Sequence, residues 1–365
     1  MAAIKALVIS KYFKPDIDGV GDHSYKLINA LKDFNLEIEI VTSSKNNSFN
    51  NTHYNSLNSI NSIFPLLRLN KIIKPDIIIL QYVGYNFNTK GIPIWLILLV
   101  KILKHRKTKL ITIVHETYIR PGNSIKTKIL SYLQRLCLKL ILNSSTMVFT
   151  SIERYLSQCK KCFNKASLLR IGSNITPTNT PFKTNDSYFL IWGDRNHSKA
   201  LNIFKHMVLL DKNTPNLKII GKLSFENLKI IESFIENNNL KNRITLLGIV
   251  EEEELSITLR NTKGLLLIEE LITGEGGFSL KSGIAIAAIQ HQTLIFSNKG
   301  DMTDSILENN KHLIFLPISE MESAQTIINV LNNEVLIMDL KSHLNHLKEN
   351  FEWKSIASKI YETIK

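Results

Sequence analysis

Cysteine is scarce in this 365-residue chain. Three thiols, Cys137, Cys159 and Cys162, are too few and odd in number for a disulfide framework, and they suit a reducing compartment. Cys159 and Cys162 form a C-x-x-C, but no second pair or nearby histidine cluster completes a zinc site, so core or surface thiols are the simpler reading. Long apolar runs are missing as well. The longest, residues 92–100, stops at Lys101, and a membrane-spanning helix needs about 20 such residues. The opening MAAIKALVIS has neither the apolar core nor the cleavage site of a signal peptide and is expected to be a first strand. With 44% hydrophobic and 21% charged residues, the composition excludes a disordered chain.

Acid is scarce in one half only. Residues 1–180 carry 25 Lys and Arg against 9 Asp and Glu, whereas residues 181–365 carry 20 against 23, so the whole net charge of +13 comes from the first half. Residues 101–139 hold ten basic side chains and one acid, Glu116. Such a field attracts anionic lipid headgroups, polyphosphates or nucleic acid, and a solvated lysine-rich face is the plain alternative. Few aromatics, Tyr118 and Tyr132, interleave this stretch, so base stacking has little support and no nucleic-acid partner is expected.

Several catalytic signatures are absent. No Gly-Lys-Ser/Thr closes a Walker A loop and no Gly-x-Ser-x-Gly elbow exists. The single Asp-x-Asp, Asp16 to Asp18, sits in a glycine loop and gives little reason to expect a metal. Asp18-Gly19-Val20-Gly21 lacks the third glycine of a dinucleotide fingerprint, and no acid ends the next strand, so NAD is disfavoured.

What is present alternates. Short apolar or β-branched runs at 6–9, 37–41, 74–80 (a turn feeding an apolar strand), 109–114 and 147–150 are separated by helical patterns, with a loop of little structure expected over 43–62. Residues 173–187, with two prolines and many small polar residues, read as a linker, and the same rhythm restarts beyond it. The length and this repetition predict an α/β protein of two Rossmann-like parallel-sheet domains, 1–178 and 184–349, with 350–365 returning to the first.

Four places could carry chemistry. Gly19 and Gly21 open a helix after the first strand, where exposed amides favour an anion; a tight turn without ligand is the alternative. His115 and Glu116 follow an apolar strand, at the sheet edge where ligands bind, although on this motif alone a loop histidine satisfied by backbone is the readier explanation. Arg195 and Lys199 follow a strand in the second half and can neutralise a departing diphosphate, or form a solvated basic loop. Gly277, Ser279 and Lys281 lie in a glycine loop, 274–283, that opens a small-residue helix and can cradle phosphate.

In their order along the chain, "KALVISKYFKPDIDGVGDHSYKLINAL", "ITIVHETY", "LRIGSNI", "FLIWGDRNHSKALNIF", "LKIIGKL" and the loop to Gly283 resemble the GT-B glycosyltransferases of family 4, and "FEWKSIASKIYETI" resembles that family's returning C-terminal helix. The resemblance covers nearly the whole chain. It implies two domains facing a cleft, and a retaining, metal-independent transfer from a nucleotide sugar, UDP- or GDP-linked, with no further cofactor. His115, with Glu116, would meet the transferred sugar, Arg195 and Lys199 the diphosphate, and Gly19, Gly21, Gly277, Ser279 and Lys281 the donor. A glycan or lipid-linked acceptor in surface-polysaccharide assembly, a cytoplasmic location and contact with an anionic membrane, helped by the apolar 92–100 run, complete the expectation. The sequence departs from the family at the glutamate pair spaced by eight, where Glu275 is followed by Gly283, and at Gly193-Asp194, which displaces the arginine to 195. A catalytically weakened scaffold of the same fold is the alternative these departures raise.

Overall fold

The computed structural model describes residues 3–16, 18–45, 49–105, 108–178, 187–269 and 276–365. The chain divides into two compact units, Met1–Gly172 with Trp353–Lys365, and Ser173–Glu352.

In the first unit, β1 (Ile4–Ile9), β2 (Leu36–Thr42), β3 (Thr52–Tyr54), β4 (Ile77–Tyr82), β5 (Lys109–Val114), β6 (Met147–Thr150) and β7 (Ala166–Leu168) form a seven-stranded sheet. Its order is β3-β2-β1-β4-β5-β6-β7 and every pairing is parallel. All six residues of β4 are buried, the signature of a strand covered on both faces. The helix Gly19–Lys32 starts where the Asp18 carboxylate accepts from the Val20 and Gly21 amides, and Leu27, Ile28 and Leu31 turn its apolar stripe onto the sheet. The helix Trp353–Ile364 lies against it and buries Ile356, Ala357, Ile360 and Ile364 in the same core.

The second unit repeats the plan. β8 (Tyr188–Trp192), β9 (Asn216–Ile220), β10 (Ile244–Gly248), β11 (Gly264–Leu267), β12 (Ile295–Ser297) and β13 (Ile314–Phe315) pair in the order β10-β9-β8-β11-β12-β13, again all parallel. Each sheet begins at an inner strand, runs outward to one side and then crosses to the other. The reversal falls between β1 and β4 in one unit and between β8 and β11 in the other, and the crevice outside the carboxyl ends of such a pair is where open α/β sheets bind ligands.

The two-sheet α/β architecture is as the sequence predicts, with differences in detail. The stretch expected to be loop, 43–62, contains β3, whose flanking residues pair with β2 through Asn51 and Asn55, and a 3-10 turn at Ile60–Ser62. The apolar 92–100 run is core rather than surface. It enters the helix Ile94–His105; within the run Trp95, Leu96, Ile97, Leu99 and Val100 are buried, and Ile94 and Leu98 are its exposed residues. Of the supposed linker, 179–186 lie outside the described residues, while the Thr176 and Thr178 amides donate to Glu252 and Ser256 and so belong to the second unit.

Candidate functional site

At the carboxyl edge of the first sheet, the Gly19 and Gly21 loop is arranged by its own carboxylate. Asp18 takes the Val20 and Gly21 amides at 2.9 Å each, so the anion cradle expected at this helix start is occupied by the chain itself. Gly21 packs closely: a Cβ there would lie 3.2 Å from the Tyr12 backbone, tighter than an ordinary contact. Gly19 faces open space.

His115 follows β5 directly. Its amide donates to the Tyr82 carbonyl at 3.0 Å, which continues the β4–β5 ladder by one residue and fixes the side chain at the edge. Its Nε2 lies 2.7 Å from Oε1 of Gln81, a buried polar residue near the end of β4. The ring of His23 stands edge-on at 4.7 Å, and the Trp353 ring lies 5.2 Å from that of His23. Burial pushes His115 down to about 4, and drives His23 well below its usual value, aided by the adjacent His115. Both rings are therefore neutral near pH 7. With Nε2–H donating to Gln81, Nδ1 of His115 is left as an acceptor, suited to a substrate hydroxyl. Glu116 is exposed beside it.

At the second sheet the reversal point carries charge. Arg195 lies three residues past β8, and its Nη1 is paired with Oε1 of Glu269, two residues past β11. Glu269 is held in turn by Asn298 at the end of β12: the Glu269 amide donates to Oδ1 and Nδ2 donates to the Glu269 carbonyl, both at 2.8 Å. Asp194 turns the other way. Its carboxylate accepts from the Ser224 amide and hydroxyl and from Asn227, which hold it below its ordinary value and tie the loop to the helix Phe225–Asn237. The displaced arginine instead reaches across to the end of β11. The helix Ser198–Leu210 begins immediately after, with Lys199 in its first turn and the buried His197, lowered by burial, bonded to the Gly193 carbonyl at 2.7 Å. Among the described residues Lys199 has no hydrogen-bond or ion-pair partner.

The glycine loop reaches the same edge. Gly277 has φ +82°, and a Cβ there would collide with the Gly300 amide, so two backbone segments touch where no side chain fits. Gly274 and Glu275 of this loop lie outside the described residues. Ser279 is buried, and its hydroxyl and carbonyl accept from the Lys281 and Ser282 amides. It shapes the turn, while Lys281 is exposed. The helix Gly283–Gln290 follows, capped by Ser282, and a Cβ on Gly193 would lie 2.9 Å from Cδ1 of its Ile284. The structure thereby brings Gly193, Arg195, Glu269 and the start of this helix together. His115 and Glu116 belong to the other compact unit. Sequence reasoning missed Gln81, His23, Glu269 and Asn298; an acid directly past the apolar run of β11 was the one available signal.

No family model matches the chain, and no curated protein matches it. Solved structures share its fold at low identity. A glycosyltransferase from Rickettsia africae superposes with a TM-score of 0.74 at 13% identity, covering 100% of this chain and 98% of that one. A sucrose-phosphate synthase from Thermosynechococcus elongatus gives 0.71 at 13%, covering 99% and 98%. HepE of Anabaena, in complex with UDP and glucose, gives 0.69 at 13%, covering 99% of each chain.

Proposed function

We propose that this chain, which has the GT-B fold of those glycosyltransferases, is itself a glycosyltransferase that draws its sugar from a nucleoside diphosphate donor. The observation that carries the reading is the reversal point of the second sheet, where Arg195 is held by Glu269, Gly193 packs on Ile284 at the start of the helix Gly283–Gln290, and Lys199 lies in the first turn of the helix that follows β8. A leaving diphosphate develops negative charge, and fixed cations and helix amides are the groups that stabilise it. Glu269 holds the guanidinium in place until the donor arrives, and the remaining N–H groups of Arg195 suit phosphate oxygens. The Gly277 segment lets the donor approach backbone, Lys281 adds charge, and Ser279 positions the turn. UDP is the favoured nucleotide because a structure of this fold holds UDP and glucose.

The neutral His115 accepts a hydrogen bond from a sugar hydroxyl at Nδ1 and orients it, with Glu116 beside it on the acceptor side. Transfer is proposed to retain configuration, to rely on leaving-group stabilisation without a metal or further cofactor, and to use a glycan or lipid-linked acceptor in cell-surface polysaccharide assembly inside the cytoplasm. Incubation with UDP- and GDP-sugars tests it: one donor is expected to bind and to be slowly hydrolysed or transferred. The altered position at Gly283 favours, as a second reading, a weakened scaffold that binds nucleotide without turning it over. Turnover by the wild-type chain removes that reading, and binding without turnover supports it.

A further inference from the structure

The helix Ile125–Leu142 has two apolar faces. One is core: Gln134, Cys137, Leu138 and Ile141 are buried against the first sheet and its neighbouring helix. The other points to solvent. Ile125, Ile129, Tyr132, Leu133 and Leu136 recur at spacings of three and four, which places them on one side of a helix with 3.6 residues per turn, and all five are exposed, Ile125 at 75% and Tyr132 at 67%. Scattered apolar residues at a surface need no explanation, but a continuous stripe over about three turns does. Its borders are basic. Lys126 flanks one side and Lys128, Arg135 and Lys139 the other, all exposed, and the helix contains no acidic residue.

Exposed apolar side chains flanked by lysine and arginine are complementary to a surface whose outer layer is anionic and whose interior is hydrocarbon. We propose that this face of Ile125–Leu142 is the docking surface of the chain for an anionic lipid bilayer, the helix lying in the plane of the headgroups. The topology gives the contact a use. β5 ends at the carboxyl edge with His115, and the connection 115–124 leads into this helix, so the N-terminal end of the stripe stands beside the edge that carries His115. Docking brings that edge to headgroup level, where a lipid-linked acceptor presents its sugar. This last step rests on the transferase reading; the docking does not.

Sedimentation of the full chain with sucrose-loaded vesicles tests it, using phosphatidylcholine alone and phosphatidylcholine with phosphatidylglycerol. Strong binding to the anionic vesicles, weakening as salt rises, is expected. The double variant Ile129→Ser, Leu136→Ser is expected to weaken binding by at least about tenfold, and Lys126→Gln with Lys128→Gln by about fivefold for each charge removed. Both variants change exposed side chains, so an unchanged thermal midpoint confirms that they fold. Equal binding to neutral and anionic vesicles, or binding indifferent to both variants, overturns the proposal. So does a wild-type dimer that Ile129→Ser, Leu136→Ser dissolves while vesicle binding persists, or a preference for nucleic acid over vesicles at matched salt. Vesicle binding without any sugar transfer leaves the docking surface standing and counts only against the transferase.

Discussion

Arg195 and His115 show how a side chain's surroundings set what it can do. Arg195 is a cation kept in position by Glu269, and the pair lies at the end of two neighbouring strands. Replacing it with alanine removes a charge-assisted contact worth about 1.5–3 kcal/mol, so kcat/KM for the donor is expected to fall roughly tenfold to a hundredfold while the thermal midpoint moves little. Steady-state kinetics with the preferred donor reads this out. His115 makes stability depend on pH. Its folded value of about 4 lies below the ordinary 6.5, so between these values the unfolded chain holds a proton that the folded chain refuses. Stability is intact above pH 6.5 and is lost as pH falls towards 4. At about pH 5 the loss is of the order of 1–2 kcal/mol from this residue, measurable by urea unfolding, and His115→Gln is expected to flatten the slope. The positions of Arg195 and His115 were legible because each follows an apolar run. Glu269 was not, because its partner lies 74 residues away in sequence and an acid past a strand reads equally well as a solvated end.

Elements were legible where periodicity and caps agree. The helix Gly19–Lys32 has its cap, Asp18, and its buried stripe in the sequence, and the central strands read as continuous apolar runs. β7 and β13, three and two residues long, carry too little pattern to register, and β3 depends on pairing with β2. The helices Ile94–His105 and Ile125–Leu142 show a deeper limit. Both are apolar and basic in sequence, yet only packing decides that the first is core and the second leaves a stripe exposed. Two substitutions probe the packing directly. Ile360 is fully buried in the helix Trp353–Ile364, so Ile360→Ala is expected to cost about 2–5 kcal/mol, read as a lower denaturant midpoint. Gly277→Ala introduces a Cβ against the Gly300 amide at a positive φ and is expected to destabilise by more than about 1 kcal/mol in the same assay.

For the whole molecule, repetition was the most readable feature: two runs of alternating strands and helices implied two parallel sheets, and two parallel sheets are present. The charge contrast between the halves reads as a division of labour, with a basic first half and a near-balanced second half that places Arg195 and Lys199 just past the end of β8. The central claim is that this edge holds a nucleotide sugar through Arg195 and Lys199. Isothermal titration of the full chain with UDP-glucose and GDP-glucose, repeated on Arg195→Ala with Lys199→Ala, tests it most directly. Saturable binding of one donor by the wild type, weakened at least about a hundredfold in the double variant, is the expected result. Binding of neither donor, or equal binding by the double variant, contradicts it.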